Sequence, residues 1–220
     1  MVKKEKKEHR NRSFKEDYAK NKEIYWIFGA IIVLVLVFFA TYFGAQAISK
    51  FNYQGLVFTK EKFGEIPVYH YFYYYNNDKG ETVKYNFYLR IDPRKNNVPL
   101  EGEIEFLKGK FVYISVNGTD LTRCPYSSVA IASLAGFLTD NEITVRGASP
   151  DKAVANESKV VYADCENHPN NVVVLIQKAE RTQVTKQGRC HIIDVADCQI
   201  LDAVEKFEVQ AILDAKNSTI

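Results

Sequence analysis

The hydrophobic pattern opens, close to the N-terminus, on a long uninterrupted apolar run. From Ile24 to Ser49 the chain runs 26 residues without a charge. Such a run predicts a single helix able to cross the ~30 Å hydrocarbon layer. A helix is required there because lipid satisfies no backbone N–H or C=O. Tyr25, Trp26 and Tyr42 fall toward its ends, where aromatic rings favour the headgroup boundary. Beyond it, apolar positions alternate at the strand period of two before returning at the helix period.

Strands are predicted over 53–58 and 66–75, followed by a turn at Asn76–Glu81 and a return strand from Thr82 to Ile91. The return strand is amphipathic. Val83, Tyr85, Phe87, Leu89 and Ile91 share one face, and Thr82, Lys84, Asn86, Tyr88 and Arg90 share the other. Its partner is aromatic on both faces, so in either register one face of the hairpin presents tyrosines beside lysine, asparagine and arginine. Tyr69, Tyr71, Tyr73, Tyr75 and Tyr88 are the candidate binding residues. Either this face packs beneath other elements or it is a recognition surface, since tyrosine supplies stiff, amphipathic contact area. His70 reads as a packed or interface histidine.

A loop follows at 92–99, with further strands at Ile104–Phe106, 111–116, 143–145, 160–162 and 172–176. The last is apolar on both faces, as for a central strand. Thr182 to Val195 predicts a hairpin around Gly188. Pro125–Leu138 reads as a helix rich in small residues. In the final helix, Ile200, Val204, Phe207, Ala211 and Ala215 form the apolar stripe, with Asp202, Glu205, Lys206 and Glu208 outward. The expected class is α+β: an N-terminal transmembrane helix, then one mixed or antiparallel sheet domain with two main helices. The organisation is a tail over 1–23, a signal-anchor over 24–49 and an extracytoplasmic domain over 50–220.

Charge sets the orientation. The first 24 residues hold nine Lys and Arg against five Asp and Glu. Positive residues remain in the cytoplasm, so the tail is expected inside and the domain outside the cell membrane. The Ala45-Gln46-Ala47 stretch resembles a signal-peptidase site, but the long apolar run favours an uncleaved anchor. The polar C-terminus argues against a lipid-anchor signal. The remainder carries 20 basic and 22 acidic residues, a balance that recruits no nucleic acid. The expected partners are the bilayer, through residues 24–49, and a protein or glycan outside.

The four cysteines, Cys124, Cys165, Cys190 and Cys198, all follow the span. An even count in an oxidising compartment predicts two disulfides. Cys190 and Cys198 flank a short stretch and are expected to pair, leaving Cys124 with Cys165. A second reading concerns Cys124-Pro125-Tyr126-Ser127, placed between a strand and a helix. It resembles the strand–loop–CPYC–helix of thioredoxin-like proteins, with Ser127 replacing the second cysteine. That resemblance implies Cys124 as a nucleophile, its thiolate favoured at a helix N-terminus. The late cis-proline of that family has no counterpart here. Cys165-Glu166-Asn167-His168 and Cys190-His191 offer zinc-type ligands, but their spacing matches no paired motif, so no metal and no cofactor is expected.

Sequons at Asn117, Asn156 and Asn217 are candidate glycosylation sites. Nucleotide-binding glycine loops, a Gly-x-Ser-x-Gly elbow and a His-Glu-x-x-His helix are absent from the sequence. The stretches Phe58–Tyr69, Asp92–Pro99 and Cys198–Phe207 resemble uncharacterised single-anchor surface proteins of DPANN-type archaea. That resemblance implies a location and no activity. The expected function is a non-enzymatic surface interaction protein. The alternatives are a membrane-tethered thiol oxidoreductase using Cys124 and a structural subunit of a membrane complex.

Overall fold

The computed structural model describes residues 25–44, 49–77, 79–106, 111–168 and 170–218. The chain divides into two units, Met1–Lys50 and Phe51–Ile220. Within the first, helix α1 (Tyr25–Gly44) is long and apolar enough to cross a membrane, and none of it is buried against protein. At 1.5 Å per residue its 20 residues extend about 30 Å. The tail and Ala45–Ala47 lie outside the described residues.

The second unit is α+β, with two sheets. The first has the order β1 (Lys50–Tyr53), β2 (Leu56–Phe63), β3 (Ile66–Asn76), β4 (Thr82–Leu89), with β2, β3 and β4 antiparallel in turn. The strand expected over 53–58 is broken at Gln54–Gly55, both at positive φ. Asn52 Oδ1 accepts the Gly55 N–H at 2.9 Å and closes this turn. The sequence hides it because Gln is not a usual turn residue.

The second sheet has seven strands in the order β5-β10-β11-β9-β6-β7-β8. These are β5 (Leu100–Glu101), β6 (Val112–Val116), β7 (Val145–Ser149), β8 (Val161–Tyr162), β9 (Val172–Lys178), β10 (Gln183–Gln187) and β11 (Cys190–Val195). β11, β9, β6, β7 and β8 are mutually parallel, and β10 is antiparallel to β11. β9 is buried on both faces from Val172 to Ile176, as its unbroken apolar run predicts. Between β6 and β7 lie α2 (Gly118–Leu121) and α3 (Ser127–Asp140), and between β7 and β8 lies α4 (Lys152–Ser158). α4 begins where Asp151 accepts the Ala153 and Val154 amides, an N-cap missed in the sequence. Ile104–Phe106 is not a strand. The Ile104 N–H instead donates to Asp214 Oδ2 at 2.8 Å, and Phe106 packs edge-on to Phe207.

α3 and the final helix α5 (Ile200–Ser218) join the two sheets into one core. That core takes Leu56, Phe58, Phe87 and Leu89 from the first sheet and Val174, Ile176 and Ile193 from the second. Leu134 and Phe137 come from α3, and Val204 and Phe207 from α5. α5 is therefore buried around most of its circumference, which overturns the expected outward face: Glu205 and Glu208 are 3% and 0% exposed. A one-stripe reading assumes one packing partner, and this helix has two layers against it. The opposite face of the second sheet holds a smaller cluster of Tyr113, Val173, Leu175, Cys190 and Ile192.

Candidate interaction surface

Strand alternation and register decide which aromatic residues reach solvent. β3 pairs with β4 so that Tyr69 faces Leu89, Tyr71 faces Phe87, Tyr73 faces Tyr85 and Tyr75 faces Val83. These residues share the face turned to the helices. Tyr69 is buried, and Tyr71, Tyr73 and Tyr85 pack against the core. The Tyr73 hydroxyl donates to Asn141 Oδ1 and the Tyr75 hydroxyl to the Asp140 carbonyl, both at the end of α3. Burial raises the pKa of Tyr71, Tyr73 and Tyr85 above the usual phenol range. Three of the five tyrosines singled out in the sequence thus serve the interior, and Tyr75 is half-buried and tied to the end of α3.

Tyr88 lies on the other face. The same register sets it opposite His70, Asn86 opposite Phe72, and Lys84 opposite Tyr74. On β2, Phe63 pairs with Ile66 and Thr59 with His70. The outer face therefore carries Phe63, Ile66, Phe72, Tyr74 and Tyr88, which are 59%, 47%, 47%, 62% and 41% exposed. The rings touch in series. Phe63 meets Tyr88 at 5.5 Å, Tyr88 stacks on His70 at 4.5 Å, His70 meets Phe72 at 6.0 Å and Phe72 meets Tyr74 at 6.0 Å. The result is a continuous row of five rings across three strands.

Polar groups pin this row. His70 Nδ1 is 2.8 Å from Glu61 Oε1, and Nε2 is 3.2 Å from Asn86 Oδ1. Two fixed partners and a stacked ring hold the imidazole in one orientation. Lys84 Nζ lies 4.2 Å over the Phe72 ring, a cation–π contact that keeps its charge on the patch. Rings already in contact lose little freedom on binding, which favours a preorganised surface. The signal missed in the sequence was register. Tyr88 belongs with the even-numbered residues of β3, whereas Tyr69, Tyr71, Tyr73 and Tyr75 belong with the apolar face of β4.

The cysteines form Cys124–Cys198 and Cys165–Cys190 disulfides. The expected pairing by proximity in sequence is overturned. Cys124 lies three residues before α3 and Cys198 two before α5, so packing of the two helices brings their leading ends together. Cys190 opens β11 and cannot turn back to Cys198, which follows the far end of the same strand. Cys165 instead sits in the segment packed on the smaller cluster and reaches Cys190 there. No free thiol remains at Cys124, and α3 begins after Tyr126 rather than at the cysteine.

The sequon asparagines Asn117, Asn156 and Asn217 are all exposed. Among the described residues no group of three His, Cys, Asp or Glu side chains is placed to hold a metal ion. Comparison with protein-family models, curated proteins and solved structures finds no match.

Proposed function

We propose that the chain is a single-pass membrane protein that holds its α+β domain outside the cell and docks a protein or glycan on the outer face of the four-stranded sheet. The carrying observation is the exposed row Phe63–Tyr88–His70–Phe72–Tyr74. Contiguous exposed apolar area of this kind marks interaction sites rather than ordinary surface. Aromatic rings are the residue type enriched at such sites.

The anchor reading rests on α1 and on the basic residues before it, which favour a cytoplasmic N-terminus. Two disulfides accord with an oxidising compartment on the other side. A non-enzymatic role suits a surface whose polar groups hold one another in place. His70, Glu61, Asn86 and Lys84 all have partners within the patch.

The test places a photoreactive phenylalanine analogue at position 72 of the full chain in its native membrane. The expected result is a discrete adduct, lost when Phe63 and Tyr88 are both changed to Ser. No adduct, or one unaffected by those changes, removes the docking role from this face.

A further inference from the structure

The two sheets have four edges, and three of them are short. β1 has four residues, and β5 and β8 have two each. The fourth edge is β4, with eight residues and no proline. It ends the sheet order, and among the described residues no further strand pairs with it. Proteins blunt exposed edges by shortening, bulging or charging them, because unpaired N–H and C=O groups template another strand. Only Lys84 charges this edge.

We propose that β4 pairs antiparallel with β4 of a second copy, joining two four-stranded sheets into one of eight strands. The sequence of β4 supports a twofold partner of its own kind. Opposed residues must share a face, so a twofold axis passes through one residue of the strand. An axis at Lys84 would set two lysines against each other, which is destabilising. An axis at Asn86 sets Lys84 against the partner copy's Tyr88 and Tyr85 against its Phe87. That register sets a cation beside the partner copy's Tyr88 ring on the outer face, where Tyr88 is 41% exposed. It also uses the strand from Val83 to Leu89, with Asn86 meeting its own amide.

Co-anchoring strengthens this choice over a foreign peptide. Copies held in one membrane by α1 meet at high effective concentration and in one orientation. This step rests on the anchor reading, whereas the open edge does not. Pairing would also bring two ring rows onto one continuous outer face.

The experiment uses the full chain in native membranes. Asn86→Cys is treated with a short bismaleimide under non-reducing conditions, alongside Asn52→Cys on β1. Peptide mapping confirms that both native disulfides persist. The expected result is a covalent dimer of twice the 25.2 kDa chain, at least about tenfold stronger for Asn86→Cys than for Asn52→Cys. In mild detergent, light scattering should give a dimer for the unaltered chain and a monomer for Asn86→Lys, which also removes a hydrogen-bond partner of His70, with both native disulfides retained. Equal cross-linking at both edges overturns the proposal. So does a dimer that survives Asn86→Lys, which would place the contact elsewhere. Neither outcome touches the docking role of Phe72, which its own cross-linking measures.

Discussion

Glu205 on α5 accepts the backbone N–H of Arg90 at 2.7 Å through Oε1 and that of Ile91 at 2.9 Å through Oε2. One buried carboxylate thereby closes the end of β4 onto the last helix. It satisfies two amides that the sheet, ending at Leu89, leaves without strand partners. Truncation would strand both. Glu205→Ala is expected to cost about 2–4 kcal/mol. Denaturant unfolding of the 51–220 domain, which contains the whole core, measures this. A loss below about 0.5 kcal/mol would show that the clasp contributes little.

The same helix carries a pH dependence. Burial pushes the Glu205 carboxyl up to about 7, offset in part by the Arg90 and Ile91 amides. Burial raises Glu208 well above its ordinary range, against a hydrogen bond from Ser133. Among the described residues, Glu208 Oε2 has no hydrogen-bond partner. Both folded pKa values exceed the unfolded value of 4.5. The folded state therefore binds protons more tightly. The Glu205 contribution is full below about pH 4.5 and is lost as pH rises through about 7, and that of Glu208 is lost as pH rises through its own raised value. His191 acts oppositely, because burial lowers its pKa and its contribution is lost as pH falls. The clean readout is a difference. Glu208→Gln should match the unaltered domain at pH 5 and be the more stable of the two at pH 8. Parallel curves for the two proteins would mean that Glu208 does not titrate in this window.

The disulfides should differ in weight. Cys124–Cys198 closes a separation of 74 residues and Cys165–Cys190 one of 25. On the chain-entropy account the first is worth roughly 4.5 kcal/mol and the second roughly 3.5 kcal/mol. Paired Cys→Ser variants followed by denaturant unfolding test this ranking. Non-reducing peptide maps should show these pairs and no Cys190–Cys198 peptide.

The two faces of β3 should respond differently to mutation. Tyr74→Ser alters an exposed ring and is expected to change stability by no more than about 0.5 kcal/mol. Tyr73→Ala removes a packed ring and strands Asn141, and should cost about 3 kcal/mol. Equal costs would mean that the face assignment is wrong.

Much of this fold is legible in the residues. The uncharged run announces α1, the alternation announces β3 and β4, and the double-faced apolar run announces β9. What escaped is tertiary. Glu205 and Glu208 look solvent-facing because one apolar stripe is visible, and a second sheet covers the other side. Tyr69 and Tyr88 look like one surface because composition does not state register, and a one-residue step exchanges the faces. Cys124 and Cys198 look unrelated because their proximity depends on packing between α3 and α5. The exposed rings Phe72 and Tyr74 are hidden among neighbours of the same type.

The docking face is tested most directly by hydroxyl-radical footprinting of the full chain in native membranes against the purified 51–220 domain. Phe72, Tyr74 and Tyr88 should lose reactivity in membranes by several-fold, while Tyr162, 38% exposed on the other sheet, should not change. Equal reactivity of Phe72 and Tyr74 in both preparations would contradict the account.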